Sequence, residues 1–180
     1  MDEIYLVEYD PRWTEMYAAE AERVQAALPA GLVSAIEHFG STAIPGLVAK
    51  PTIDILIAVR SVQEAREIAV RPLEAIDYAF WSDNPQRDRL FFVKGLPPAA
   101  PHRTHHVHIT ELGSDMWERL LFRDYLRAHP DEASRYGNLK LGLMARFRDD
   151  REAYTAAKSS YLDEVMAKAR AARDLRAKLP

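Results

Sequence analysis

Residues 52–59, Thr-Ile-Asp-Ile-Leu-Ile-Ala-Val, constrain the fold of this chain more than any other segment. β-branched side chains crowd a helix but suit a pleated strand, so the run predicts a buried strand. Alternation puts Ile53, Ile55 and Ile57 on one face and Asp54, Leu56 and Ala58 on the other. A lone strand is not stable, and four further strand-like runs are present, at 32–39, 78–81, 89–94 and 105–110. Between them lie stretches such as Ser82-Asp83-Asn84-Pro85 and Gly95-Leu96-Pro97-Pro98, which cannot continue a ladder.

Helical signals surround these runs. Asp10 as N-cap and Pro11 in the first turn announce a helix whose residues Trp13, Tyr17, Val24 and Leu28 fall near one face, ending near Pro29-Ala30-Gly31. Ser61 with Glu64 three residues on is a capping box opening a helix to about Ile76. After Gly113 the pattern becomes wholly helical: one helix starts at Ser114, a second at Pro130 and a third runs from Asp150 to Lys178. The expected fold class is α+β, a small mixed sheet packed with helices and followed by a C-terminal helical segment. One unit over 1–180 is expected, with 1–112 an α/β part and 113–180 a helical part. The C-terminal helices carry few strongly apolar positions, which predicts that they pack on the sheet without a core of their own.

Composition excludes several functions. The chain has no cysteine, so disulfide frameworks, cysteine zinc sites and thiol nucleophiles are ruled out. The acidic start Met1-Asp2-Glu3 lacks a basic, apolar leader pattern and no run reaches the length of a membrane span, so a cytoplasmic protein is expected. A net charge of −3 and no basic stripe interleaved with aromatics argue against nucleic acid as a partner. From Lys158 to Pro180 six basic residues outnumber three acidic ones, the pattern of a solvated helix complementing its own dipole.

Three features could carry chemistry. The turn at Gly40 and Ser41 offers close backbone approach and a hydroxyl, a combination suited to phosphate oxygens and equally to an ordinary turn. Asp54 sits in an apolar strand, where a carboxylate must meet a cation or several donors; Lys50 and Arg89 are candidate ion-pair partners. His106 and His108 share the strand face opposite Val107 and Ile109, so two imidazoles can converge on one ion or anion. Lys94 ends a strand, where a lysine blunts a sheet edge. Arg123-Asp124 is either a local ion pair or a contributor to the site.

Taken together, residues 38–59 (HFGSTAIPGLVAKPTIDILIAV), 103–109 (RTHHVHI) and 122–130 (FRDYLRAHP) resemble the GrpB family, a group placed in the nucleotidyltransferase superfamily. The likeness runs along nearly the whole chain, and the joint pattern is far more specific than any one motif. It implies a nucleotidyltransferase-like fold in which the Gly40-Ser41 turn grips nucleotide phosphates and Asp54 is the first of two carboxylates spaced by one residue that hold divalent ions. The second carboxylate position is Leu56, which cannot ligate, so a two-ion clamp is not available from this strand. Asp54 with His106 and His108 would then be the metal ligands, for magnesium, manganese or zinc, with Lys50 countering phosphate charge; imidazoles favour the transition metals. The expected ligand is a nucleotide or a phosphorylated small molecule. The expected activity is metal-dependent nucleotidyl or phosphoryl transfer, and the alternative is a non-catalytic nucleotide- or anion-binding module. A cupin-type isomerase or oxygenase, suggested by His-x-His before Glu111, fits a helix-rich chain poorly.

Overall fold

The computed structural model describes residues 4–98, 100 and 102–177. Five strands, β1 (Ala35–Phe39), β2 (Ile53–Val59), β3 (Tyr78–Phe80), β4 (Arg89–Lys94) and β5 (His105–Glu111), form one sheet in the order β1-β2-β5-β4-β3. Only β2 and β5 run parallel; the other neighbours are antiparallel, which makes the sheet mixed. Every predicted strand is present. The first begins three residues late, because the Leu32 N–H bonds back to Pro29 O in a turn whose Gly31 has φ +80°.

Helices α1 (Arg12–Ala27) and α2 (Val62–Glu74) cover one sheet face. Ser61 Oγ accepts from the Glu64 N–H at 3.3 Å as the predicted cap, whereas α1 begins at Arg12 with Pro11 in the cap position and the Asp10 carboxylate, one residue earlier, accepts from the Arg12 N–H at 2.9 Å. Beneath them Ile53, Ile55, Ile57, Val107 and Ile109 are fully buried against Trp13, Val24, Ala65 and Leu73. Lys94 does not blunt an edge. Strand β4 lies inside the sheet, and Lys94 Nζ pairs with Glu20 on α1 at 2.7 Å, the same carboxylate that accepts from Tyr78 Oη.

The helical half differs from expectation in two ways. The predicted helix after Ser114 is divided into α3 (Asp115–Glu118) and α4 (Leu120–Ala128), and the last into α6 (Arg151–Ala157) and α7 (Ser159–Arg176), with α5 (Pro130–Arg146) between; the expected end at Lys178 lies outside the described residues. At each joint the backbone closes a tighter bond to the residue three back, Arg119 N–H to Met116 O and Lys158 N–H to Thr155 O, both at 3.3 Å. The first joint lets Met116 and Leu120 lie on Leu56 while Leu126 turns toward other helices.

Those helices also share a second apolar cluster with the loop between β1 and β2. Leu126 of α4, Ala133 and Tyr136 of α5 and Val165 of α7 close around Ile44 and Leu47 from the loop between β1 and β2. The apolar positions were too few to reveal this because two of the plugs come from distant sequence. Polar ties reinforce it: Arg123 donates to Glu37 Oε2 and to His38 O, each at 2.7 Å, and Arg127 Nε donates to Ala43 O at 2.7 Å. Arg123 also pairs with Asp124 at 2.7 Å, so the Arg123-Asp124 step joins α4 to β1. The basic residues of α7 are mostly accounted for by ion pairs, with Arg170 and Arg173 on Glu118 and Lys168 on Glu132 and Glu164. Among the described residues no helix is long and apolar enough to cross a membrane.

Ile44, although in a loop, is 1% exposed. Ile44→Ala should therefore cost what a core truncation costs, about 2–5 kcal/mol, as measured by urea unfolding; a change within the scatter of surface substitutions would show that the loop is not anchored as described.

Candidate functional site

The parallel pairing of β2 with β5 sets Asp54 directly across from His106, and Leu56 across from His108. Their side chains rise on the sheet face away from α1 and α2. His106 Nδ1 lies 2.9 Å from Asp54 Oδ1 and His108 Nε2 lies 3.6 Å from the same oxygen. Neither Lys50 nor Arg89 is needed to explain the buried acid; Arg89 pairs with Asp88 at 3.8 Å. Phe91 stacks on His108 at 4.8 Å and meets His106 edge-on at 5.1 Å, walling both rings.

Electrostatics favour an ionised acid beside a neutral ring. Burial would raise the Asp54 carboxyl, but the hydrogen bond from His106 and the nearby His108 ring outweigh it and hold the group well below the usual carboxylate range. Burial lowers His108, only partly offset by Asp54. One nitrogen of each ring is left over: His106 Nε2 and His108 Nδ1 are buried with no hydrogen-bond partner among the described residues. One ligand atom from each of Asp54, His106 and His108 can lie within 4.8 Å of the others, close enough to surround a metal ion. Ligand distances of about 2.0–2.2 Å put tetrahedral neighbours about 3.3–3.6 Å apart, so the observed 2.9 and 3.6 Å separations need little adjustment.

Gly40 is fixed by the acid. Its φ of +72° and ψ of −167° belong to a region essentially reserved for glycine. A Cβ there would also stand 2.4 Å from Asp54 Oδ2. Ser41 follows at the start of a 3-10 turn, Ser41–Ala43, and its Oγ accepts from Lys140 Nζ at 3.1 Å.

Asp54, Ser41 and both histidines line a cleft of about 490 Å³. Its wall carries six cationic side chains, Lys50, Arg103, Arg119, Lys140, Arg151 and Lys158, and Asp54 is the one carboxylate among the described lining residues. A chain of net charge −3 thus concentrates positive charge at one place. Burial and the nearby Lys158 push Lys140 down to about 7, and burial with Arg151 pushes Lys158 down to about 8. A second cavity of about 250 Å³ adjoins the cleft at Phe39, Ser41, Arg119 and Leu162, and Phe122 and Tyr136 make it more aromatic.

Ser41, Lys50, Asp54, His106 and His108 line this cleft, and Gly40 lies against Asp54 and lines the adjoining cavity, whereas Lys94 and Asp124 line neither and Arg123 lines the adjoining cavity alone. Lys140, Lys158, Arg119 and Arg151 were not foreseen. A signal existed for Lys140: Ala133, Tyr136, Gly137 and Lys140 follow helical spacing on one buried stripe of α5, which puts a lysine on an apolar face. Leu56 is fully buried beneath Met116 and Leu120 and does not open onto the cleft.

Residues 3–168 match the family described as "GrpB protein". The chain belongs to the GrpB family. It is 47% identical to a UPF0157 protein of Pseudomonas aeruginosa over 95% of this chain and 69% of that protein. It is 32% identical to the glutamate-rich protein GrpB of Alkalihalophilus pseudofirmus over 91% of this chain and 94% of that one. The crystal structure of GrpB from Enterococcus faecalis superposes with a TM-score of 0.81 at 32% identity, covering 92% of this chain and 96% of the other. The GrpB family fold here is thus a mixed α+β arrangement around a five-stranded sheet.

Two outcomes follow. Gly40→Ala should destabilise the protein by about 1–3 kcal/mol and Gly40→Ala/Asp54→Ala should recover part of that loss, as thermal unfolding would report; no recovery would mean that Asp54 is not what the new methyl meets. Lys140 has a folded pKa of about 7 against an ordinary 10.5, so the unfolded chain binds the extra proton between these values. In anion-free buffer the native protein should therefore gain stability, relative to Lys140→Met, as pH rises from 7 toward 10, and a flat difference would remove the buried-cation description.

Proposed function

We propose that this GrpB-family protein is a metal-dependent nucleotidyl- or phosphoryl-transferase of nucleotidyltransferase-like fold, acting in the cytoplasm on a nucleotide or phosphorylated small molecule. The observation that carries the reading is the convergence of Asp54, His106 and His108 at the floor of a cleft whose other charged lining residues are cations.

The donor set selects the ion. Two imidazoles and one carboxylate suit manganese or zinc better than magnesium, which prefers an all-oxygen shell. Such an ion supplies Lewis acidity at a phosphoryl oxygen. The chain's own residues do the rest. Asp54 is ionised and burial disfavours the charged form of His108, both of which suit ligation, while the proton that His106 Nδ1 shares with Asp54 would have to leave that nitrogen first. Phe91 and Phe39 keep the rings in place and limit water around them. Ser41 offers a hydroxyl beside the cluster, and Arg119, Lys140 and Lys158 bring positive charge suited to an anionic ligand. The adjoining cavity of about 250 Å³ provides room for a small acceptor next to Ser41.

A relative points toward the same chemistry. A protein of Mycolicibacterium paratuberculosis named dephospho-CoA kinase is 31% identical across 92% of this chain, which matches 46% of that protein. A segment like this one thus occurs in a chain named for phosphoryl transfer.

Leu56 favours a second reading, a binding module without transfer activity. The position expected to hold a second carboxylate is an apolar anchor with no exposure, so one strand offers a single acid where a two-ion mechanism needs more. Manganese or zinc should raise the melting temperature, and Asp54→Ala should abolish that rise. Incubation of the metal-loaded protein with nucleoside triphosphates then separates the readings: release of pyrophosphate or phosphate above the Asp54→Ala background supports transfer, whereas binding without release supports the module. Absence of any metal-dependent shift would sink the metal-dependent reading.

A further inference from the structure

Lys140 is the sole lysine buried to this degree among the described residues, at 2% exposure. It leaves the apolar stripe of α5, passes over the Tyr136 ring at 4.8 Å, and directs its ammonium to Ser41 Oγ and to the Val48 carbonyl. No described carboxylate lies within ion-pairing distance of it. Lys158, at the joint between α6 and α7, lays its own ammonium over the Tyr154 ring at 4.2 Å, also without a carboxylate partner among the described residues. The two amines line the same cleft and feel each other's charge. Elsewhere the molecule supplies partners for its sheltered lysines: Lys94 has Glu20, and Lys168 has Glu132 and Glu164. Here Lys140 is withdrawn from water and Lys158 partly so, and among the described residues neither forms an ion pair, an arrangement that is costly unless a counter-ion arrives.

We propose that Ser41, Lys140 and Lys158 form a subsite for a phosphoryl oxyanion, which supplies the ion-pair partner that neither lysine has among the described residues. Hydrogen-bond capacity agrees. A protonated Lys140 uses one N–H on Ser41 and one on Val48 and keeps a third. Ser41 Oγ, already accepting from Lys140, has its own proton to donate outward. Lys158 lies near enough to Asp54 to sense its charge, so the subsite borders the carboxylate–imidazole cluster and would present a phosphoryl group to an ion held there. The inference deepens the reading above by locating the phosphate, and it rests on that reading only for the ligand's identity; the oxyanion needs no metal to bind.

The test is calorimetric titration with inorganic tripolyphosphate in EDTA, with native protein and with Lys140→Met, Lys158→Met, Asp54→Asn and Arg170→Met. The native protein binds. Lys140→Met and Lys158→Met each weaken binding about tenfold or more, the scale of one charge-assisted hydrogen bond, while Arg170→Met on the outer surface of α7 binds as the native protein does. Asp54→Asn, which removes a negative charge, binds at least as well as native. Circular dichroism monitors folding, and Lys158→Met, at a half-exposed position, decides the matter alone if Lys140→Met does not fold. No metal-free binding, or binding undiminished in Lys158→Met and in a folded Lys140→Met, overturns the subsite. Intact tripolyphosphate binding in a protein that takes up no manganese or zinc would instead overturn the metal proposal and leave this one standing.

Discussion

A half-buried carboxylate facing two imidazoles organises this molecule's working face. Asp54 can remain ionised in strand β2 because β5 runs parallel beside it and places His106 at the same level. The same acid occupies the space a Cβ on residue 40 would need, so the turn after β1 must be glycine both for its dihedral angles and for that space. Ser41 is then held beside the acid, and Lys140 is held on Ser41. One ionised group thereby sets the position of a turn, a hydroxyl and a lysine contributed by three separate parts of the chain.

The sheet separates two environments by simple alternation. Ile53, Ile55, Ile57, Val107 and Ile109 enter an apolar core under α1 and α2, and Asp54, His106 and His108 bear the polar cluster on the other face. Leu56 shares that other face, where Met116 and Leu120 cover it. That cover marks the boundary of the cleft: Asp54 lies on the open side of the boundary and Leu56 under the lid formed by α3. An acid in place of Leu56 would be enclosed by apolar side chains, so the departure from a paired-carboxylate pattern is built into the packing of α3 on the sheet.

Much of this could be read from residue order. Period-two alternation in 52–59 and 105–110 named the buried faces, and it put Asp54 on one strand and His106 with His108 on another, each set facing away from its strand's apolar side. Residue order carried no information on pairing direction, and it was the parallel register of β2 with β5 that brought the acid and the rings together. Lys140 and Lys158 escaped notice for a different reason. Lys140 belongs to an amphipathic helix and Lys158 to the joint between two others, and the cleft that receives both exists only after the helices close on Ile44 and Leu47. The breaks at Arg119 and Lys158 were equally invisible, since neither contains proline or glycine; they arise from helices serving two packing partners on successive turns.

The loop from Gly40 to Ala49 is pinned at both ends of its course, by Asp54 at the first glycine and by the helical cluster that swallows Ile44 and Leu47. Swinging the helices away from the sheet would drag those two side chains out of their sockets and carry Ser41 off the acid. The cleft is therefore a consequence of closure: its shape is set by the same two apolar side chains that fasten the helices to the sheet, and it keeps that shape only while both stay seated.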